Sequence, residues 1–210
     1  YAVGVDIGCG MVAVETDLVR EAFRGHETAL LDAIHSYIPA GVGRGHSEAS
    51  VAAHSFISEH GPPPGRALVK GGLVGLALEQ FGTLGSGNHF VELSADPAGR
   101  VWLVLHSGSR GVGNLLATAH VNIAKRICTA SLESKDFAFL RRDQPEYNAY
   151  LADMLWCQDY AFEQREAMVD ALERAVAAEV GSFIERRRVN CHHNYAEEVE
   201  PGLWLTRKGA

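Results

Sequence analysis

The chain is predicted to be an α+β protein, with a mixed sheet that includes a β-hairpin and lies under long helices. Three observations lead there. Apolar residues Tyr150, Leu151, Met154, Leu155, Ala161, Phe162, Met168, Leu172 and Val176 recur near helical period between Pro145 and Val180. Two short apolar runs, Phe90 to Leu93 and Val101 to Leu105, flank S-A-D-P-A-G-R. In that linker Asp96-Pro97-Ala98-Gly99 has the residues of a type I β-turn, so the two runs form a hairpin. At 210 residues, 47% apolar and 21% charged, the chain has globular composition and length enough for a core. No apolar run approaches a membrane span, and no signal peptide is visible.

In chain order, Tyr1 to Val5 reads as a strand. Asp17 caps a helical run that continues to Ile38, where Pro39 ends it. Gly41 to Gly45, G-V-G-R-G, is a glycine loop. A helix over Ser47 to Glu59 stops at G-P-P-P-G, which must be an extended connection. Val69 to Gln80 reads as a helix despite its glycines. After the hairpin come helices over Asn114 to Leu132 and Pro145 to Val180, with Pro145 at a favoured first-turn position. Leu203 to Thr206 reads as a last strand. One domain over residues 1–210 is expected, truncated at both ends, because the chain starts within one strand without a methionine and stops just after another.

A net charge of −7 gives no bulk attraction for nucleic acid. Any grip on a phosphate backbone must be local. Arg141-Arg142, Arg186-Arg187-Arg188 and Arg207-Lys208 are the basic clusters, and each reads as a solvated helix end or loop. The four cysteines are scattered without a disulfide pattern, so a reducing cytoplasm is the simplest compartment. Cys128 and Cys157 fall in helices and read as inert thiols. Cys9 differs, standing between Gly8 and Gly10 three residues after Asp6. Either it is incidental or it binds something.

If the hairpin is symmetric about the Pro97–Ala98 bond, Leu93 faces Trp102, Phe90 faces Leu105 and His89 faces His106. Opposed residues on an antiparallel pair can share one ligand. A bulge in the turn would slip this register by one, so the expectation is proximity of the two histidines. The plainer reading is two polar residues closing strands. Each, however, enters a glycine loop, G-S-G-N-H before and H-S-G-S-R-G after. A third signal is C-H-H-N, which follows the Arg186–Arg188 run and contains His192 and His193. Asp6, Cys9, His89, His106 and His193 then make a set of one carboxylate, one thiolate and three imidazoles. Five ligands exceed what one tetrahedral zinc needs, and a thiolate can bridge two ions. The set suits a dinuclear site, with metals about 3.5–4 Å apart. Glycine loops offer backbone N–H groups to phosphate, and Arg110 adds a bidentate donor. Together these point to phosphoryl or nucleotidyl chemistry.

The stretches V-G-V-D-I-G-C-G-M, G-T-L-G-S-G-N-H-F-V-E-L, L-H-S-G-S-R-G-V-G-N, C-H-H-N-Y and T-R-K-G-A, in this order along the whole chain, resemble the RtcB family of RNA-splicing ligases. The resemblance implies an RtcB-like catalytic fold and a ligase dependent on GTP and manganese. Such an enzyme joins RNA 2′,3′-cyclic phosphate or 3′-phosphate ends to 5′-hydroxyl ends. It implies that a histidine is guanylylated, that GMP moves to the RNA 3′-phosphate, and that the 5′-hydroxyl displaces it. Carried over, Asp6, Cys9 and His89 would hold one Mn2+ and Cys9, His106 and His193 the second, with Cys9 shared. Asn88, His89, Phe90, Val91 and Glu92, together with His193 and Asn194, would contact GTP. Arg110 and Lys208 are the candidates for RNA phosphate.

The family's upstream aspartate and histidine motif would precede Tyr1, and its H-G-A-G-R segment with the nucleophilic histidine would lie beyond Ala210. His26, His35, His46, His54, His60, His120 and His192 read as ordinary polar groups. Manganese rests on the resemblance alone, since a thiolate with imidazoles binds zinc more tightly. Two other readings stand beside the ligase: a metal-dependent RNA end-processing phosphoesterase, and a non-catalytic RNA-binding relative.

Overall fold

The computed structural model describes residues 3–65 and 72–209. The fold is α+β. Strand β1 spans Gly10–Val19, helix α1 Glu27–Tyr37, α2 Val51–His60 and α3 Leu73–Gln80. The hairpin strands are β2 (Phe90–Ala95) and β3 (Arg100–Ser107). Helix α4 covers Arg110–Ile127 and α5 Pro145–Val180, followed by β4 (Glu185–His192), β5 (Asn194–Glu200) and β6 (Leu203–Lys208). No described helix is long and apolar enough to cross a membrane.

The main sheet has order β2-β3-β1-β4, and β5-β6 forms a separate pair. Every strand pair is antiparallel, and the one parallel pairing among the described residues is an isolated bridge between Ala40 and Gly85. The sheet is thus antiparallel where a mixed one was expected.

The first strand is also displaced from the expected one. Residues 3–9 form bends and turns, and Tyr1 and Ala2 lie outside the described residues. The central strand is β1, whose Val12, Val14 and Thr16 are fully buried at period two. Asp17 therefore caps no helix. It lies in β1, where its backbone N–H donates to the Ile184 carbonyl and its carboxylate accepts from the Ile184 N–H at 2.8 Å. A 3-10 turn, Arg20–Phe23, separates β1 from α1. Helix α2 starts later than expected, because Ser50 Oγ accepts from the Ala53 N–H at 3.1 Å and caps it. Of the expected helix Val69 to Gln80, the part from Leu73 is helical and residues 69–71 lie outside the described residues. Helix α4 begins at Arg110 and ends at Ile127, short of Leu132. The Arg186–Arg188 run lies on strand β4, not at a helix end. There Arg188 reaches Glu166, Asp170, Glu173 and Glu185, and Arg187 stacks over Trp102.

The hairpin forms, slipped by one residue. Phe90 pairs with His106, Leu93 with Leu103 and Ser94 with Trp102. Gly99 accounts for the slip. The type I turn closes with the Gly99 N–H donating to the Asp96 carbonyl at 2.8 Å, but Gly99 itself adopts φ 80°. A type I turn followed by a left-handed residue makes a three-residue loop with a bulge, which recentres the hairpin on Ala98.

Helix α5 spans about 54 Å at 1.5 Å per residue and joins two cores. Its first half contributes Met154, Trp156, Cys157 and Tyr160 to a cluster with Phe56, Phe81 and Leu116. Its second half contributes Met168, Leu172 and Val176 to a cluster with Val12, Val14, Leu103 and Leu105. Gln164 and Arg165 sit between the two, both fully buried. The loop before β1 passes over this junction. Gly8 has φ 69°, and a Cβ there would stand 2.8 Å from Ala161 Cβ, so only glycine lets the loop lie this close to α5.

Candidate metal centre

Three chain segments meet over that junction: the loop before β1, the ends of the hairpin strands, and the β4–β5 corner. Each brings ligand-type side chains. Asp6 and Cys9 come from the loop, His89 from the residue before β2, His106 from the end of β3, and His193 from the corner. Two trios form, Asp6, Cys9 and His89, and Cys9, His106 and His193. The ligand atoms of each trio lie within 4.8 Å of one another. Cys9 Sγ is 3.0 Å from His106 Nε2 and 3.7 Å from His89 Nε2. His106 Nε2 is 3.0 Å from His193 Nε2, and His89 Nε2 is 3.4 Å from Asp6 Oδ2. Despite the slipped register, the His89 and His106 rings have centroids 5.3 Å apart.

The groups behind the histidines orient them. His106 Nδ1–H donates to the Asn88 carbonyl at 2.9 Å and His89 Nδ1–H to the Leu84 carbonyl at 3.0 Å. That assigns the proton to Nδ1 and aims the Nε2 lone pair of each ring at Cys9. Metal-ligating histidines are held in this way. The donor set and its support fit one or two divalent cations, and on affinity alone a thiolate with imidazoles holds zinc more tightly than manganese.

Electrostatics follow from the same packing. Burial, and then the adjacent Asp6 carboxylate, push the Cys9 thiol well up. A cation coordinated by a thiol reverses that direction. Burial also works against charge on Asp6, but His89 and Cys9 outweigh it and leave the carboxyl below its usual range. Burial and then His106 pull His193 down. His192 is pulled down to about 4 by burial and by Arg165, so it stays neutral. Its Nδ1–H donates to the Gly8 carbonyl at 2.8 Å.

A cleft of about 340 Å³ opens beside the first trio, lined by Asp6, His89, Asn88, Ser86, Arg110 and Gly41. Its size falls in the range of small-molecule sites. Arg110 is half-buried at the start of α4 with φ 57°, and its Nε–H donates to Thr83 Oγ1 at 3.1 Å. Its guanidinium lies against Gly85, and burial lowers its pKa. Lys208 Nζ lies beside Gly4, two residues before Asp6.

The remaining candidates for nucleotide contact divide. Phe90 and Glu92 lie on the exposed face of β2, while Val91 packs against the second core. Asn194 is buried, and its amide N–H groups donate to the Val3 and Asp6 carbonyls at 2.8 and 2.6 Å. Its side chain therefore braces the metal loop, and only Oδ1 lacks a partner among the described residues. Two groups close to the centre were missed in the sequence, Gln164 and Arg165. Gln164 Nε2 donates to Ser107 Oγ and the Gly108 carbonyl, each at 3.0 Å. The available signal was position, since Arg165 falls on the buried stripe of Ala161, Met168 and Leu172.

The family model described as tRNA-splicing ligase RtcB matches residues 1–63 and 66–210. The RNA-splicing ligase RtcB of Escherichia coli K12 is 31% identical over all of this chain and 57% of its own length. The RNA-splicing ligase RtcB of Mycobacterium tuberculosis H37Rv is 28% identical over 99% of the chain and 60% of its length. The tRNA-splicing ligase RtcB of Pyrobaculum aerophilum is 25% identical over 99% and 54%. The chain thus spans little more than half the length of these relatives. A family match that runs through both ligand trios and nearly from end to end settles the relationship: this chain belongs to the RtcB family.

Proposed function

We propose that this chain carries the dinuclear metal centre of a GTP- and manganese-dependent RNA ligase. The enzyme joins RNA ends bearing a 2′,3′-cyclic phosphate or 3′-phosphate to 5′-hydroxyl ends. The observation that carries the reading is the pair of trios sharing Cys9, within a chain of the RtcB family. Asp6, Cys9 and His89 would hold one ion, and Cys9, His106 and His193 the other. Two such ions, when bound, polarise phosphoryl oxygens and clamp the attacking and leaving oxygens of an in-line displacement.

The protein's own groups supply position. His89 and His106 are locked by the Leu84 and Asn88 carbonyls, so the phosphates meet a rigid centre. Arg110 presents its guanidinium to the same cleft as Asp6 and His89, where a planar fork matches a phosphate. Asn88 shares that wall with it, and Phe90, Glu92 and Lys208 offer exposed contacts nearby. The guanylylated histidine belongs, in this reading, to sequence outside these 210 residues.

The test is labelling of the full-length protein that carries these 210 residues, beside the 210-residue chain alone, which should stay unlabelled, with α-labelled GTP in manganese, followed by a chase with RNA carrying a 3′-phosphate and a 5′-hydroxyl partner. Covalent label that moves to RNA and yields a joined product supports the reading. Release of the terminal phosphate without label on the protein supports the hydrolytic alternative. Binding of RNA without turnover supports a non-catalytic relative.

A further inference from the structure

Arg165 is fully buried at the middle of α5, and its hydrogen-bond partners among the described residues are neutral. Nη1 donates to the Gly8 carbonyl at 2.7 Å and to the Ser107 carbonyl at 3.2 Å. Nε donates to Asn190 Oδ1 at 2.9 Å, and Nη2 rests 3.3 Å from His192 Nδ1. On the other side of Cys9, a Cβ on Gly10 would stand 3.0 Å from Arg165 Cζ. The guanidinium therefore touches the residues on both sides of Cys9, the residue after His106 and the residue before His193. Those three ligands make up one trio. Burying an arginine against neutral carbonyls is unfavourable, so its place here is set by what it holds: its Nε–H and both Nη1–H groups reach acceptors on three different segments, while Nη2 packs against the His192 ring.

We infer that Arg165 is the positioning residue of the Cys9–His106–His193 half of the centre, holding its three ligand-bearing segments in register from behind. This inference rests on the metal-centre reading. It differs from a packing role in being directional. The Asp6–His89 side has further braces in Asn194 and Leu84, so loss of the fork should weaken the ion beside His106 and His193 more than the one beside Asp6 and His89, although Cys9 is common to both. Lysine cannot substitute, because one ammonium on a flexible stem cannot reproduce a planar fork.

The experiment titrates cobalt(II) into the metal-free protein and follows its visible spectrum, with metal content by elemental analysis. Wild type is compared with Arg165→Lys, Asn190→Ala and Met168→Ala. Asn190→Ala leaves Arg165 in place and releases one prong, so it remains informative if Arg165→Lys does not fold. Met168→Ala is a core-packing control one turn along α5. The expected result is two ions in wild type, and one ion weakened about 10–100-fold in Arg165→Lys and Asn190→Ala, as for groups behind metal ligands. The cobalt bands shift in those two variants. Met168→Ala lowers the melting temperature with unchanged bands. Two ions of wild-type affinity and unshifted bands in both variants overturn the role of Arg165 while leaving the metal centre standing. Wild type that takes up no ion overturns the metal reading itself, and the inference with it.

Discussion

His106 Nε2 stands 3.0 Å from Cys9 Sγ, while the other nitrogen of the same ring donates to the Asn88 carbonyl at 2.9 Å. The lone pair facing the sulfur is thereby fixed by the backbone that leads into β2. Cys9 is the sole member of both trios, so its removal should be felt on both sides. Cys9→Ala is expected to lose both ions, whereas Asp6→Ala should mainly weaken one. Elemental analysis of the purified variants decides, and full metal content in Cys9→Ala would rule out the bridge.

Gly108 tests the Asp6 side without touching a ligand. A Cβ at this position would collide with Asp6 Oδ1 and approach Cys9 Cα at 3.3 Å. Gly108→Ala should push the carboxylate off its place and weaken the ion next to Asp6 and His89 about 10-fold or more. The ion next to His193 should be affected less. Calorimetric titration showing two wild-type affinities would mean that Asp6 holds no ion.

Gly8→Ala addresses the seating of the loop. The new methyl meets Ala161 Cβ at 2.8 Å and Gln158 Cα at 3.0 Å, at φ 69°. A left-handed alanine costs about 1–2 kcal/mol and overpacking about 1–3 kcal/mol, so a loss of roughly 2–5 kcal/mol is expected by urea denaturation. A loss under about 0.5 kcal/mol, the scale of a neutral surface change, would show that the loop does not rest on α5 as described.

In the full-length enzyme that carries this chain, Arg110→Ala should cripple end joining while metal content and guanylylation stay near normal, and Arg110→Lys should restore little. Arg110 has φ 57°, and since arginine, lysine and alanine all carry a Cβ, the left-handed conformation costs each of them similarly, so the comparison isolates the guanidinium. Loss of guanylylation, with joining by pre-guanylylated enzyme intact, would assign Arg110 to GTP instead of RNA.

The candidate ligands were legible in the sequence because glycine loops and a D-P-A-G turn are local signals, and five short motifs in order mark the family. The hairpin's proximity survived, but its register did not, because Gly99 could serve either as the last residue of a plain turn or as a left-handed bulge. Strand β1 was missed for a different reason. Its M-V-A-V run is apolar throughout and shows no period of two, Asp17 looked like a helix cap, and only pairing on both sides with β3 and β4 makes the strand central. Arg165 and Asn194 were beyond local reasoning. Their partners lie 157 residues away at Gly8 and 188 residues away at Asp6, and such contacts exist only once the chain has folded.

The most direct test of the shared-thiolate centre is anomalous diffraction at the manganese edge from crystals of the protein grown or soaked in manganese. The account predicts two peaks about 3.5–4 Å apart, both bonded to Cys9 Sγ, one beside Asp6 and His89 and the other beside His106 and His193. A single peak, or two peaks with Cys9 bonded to only one, would contradict it.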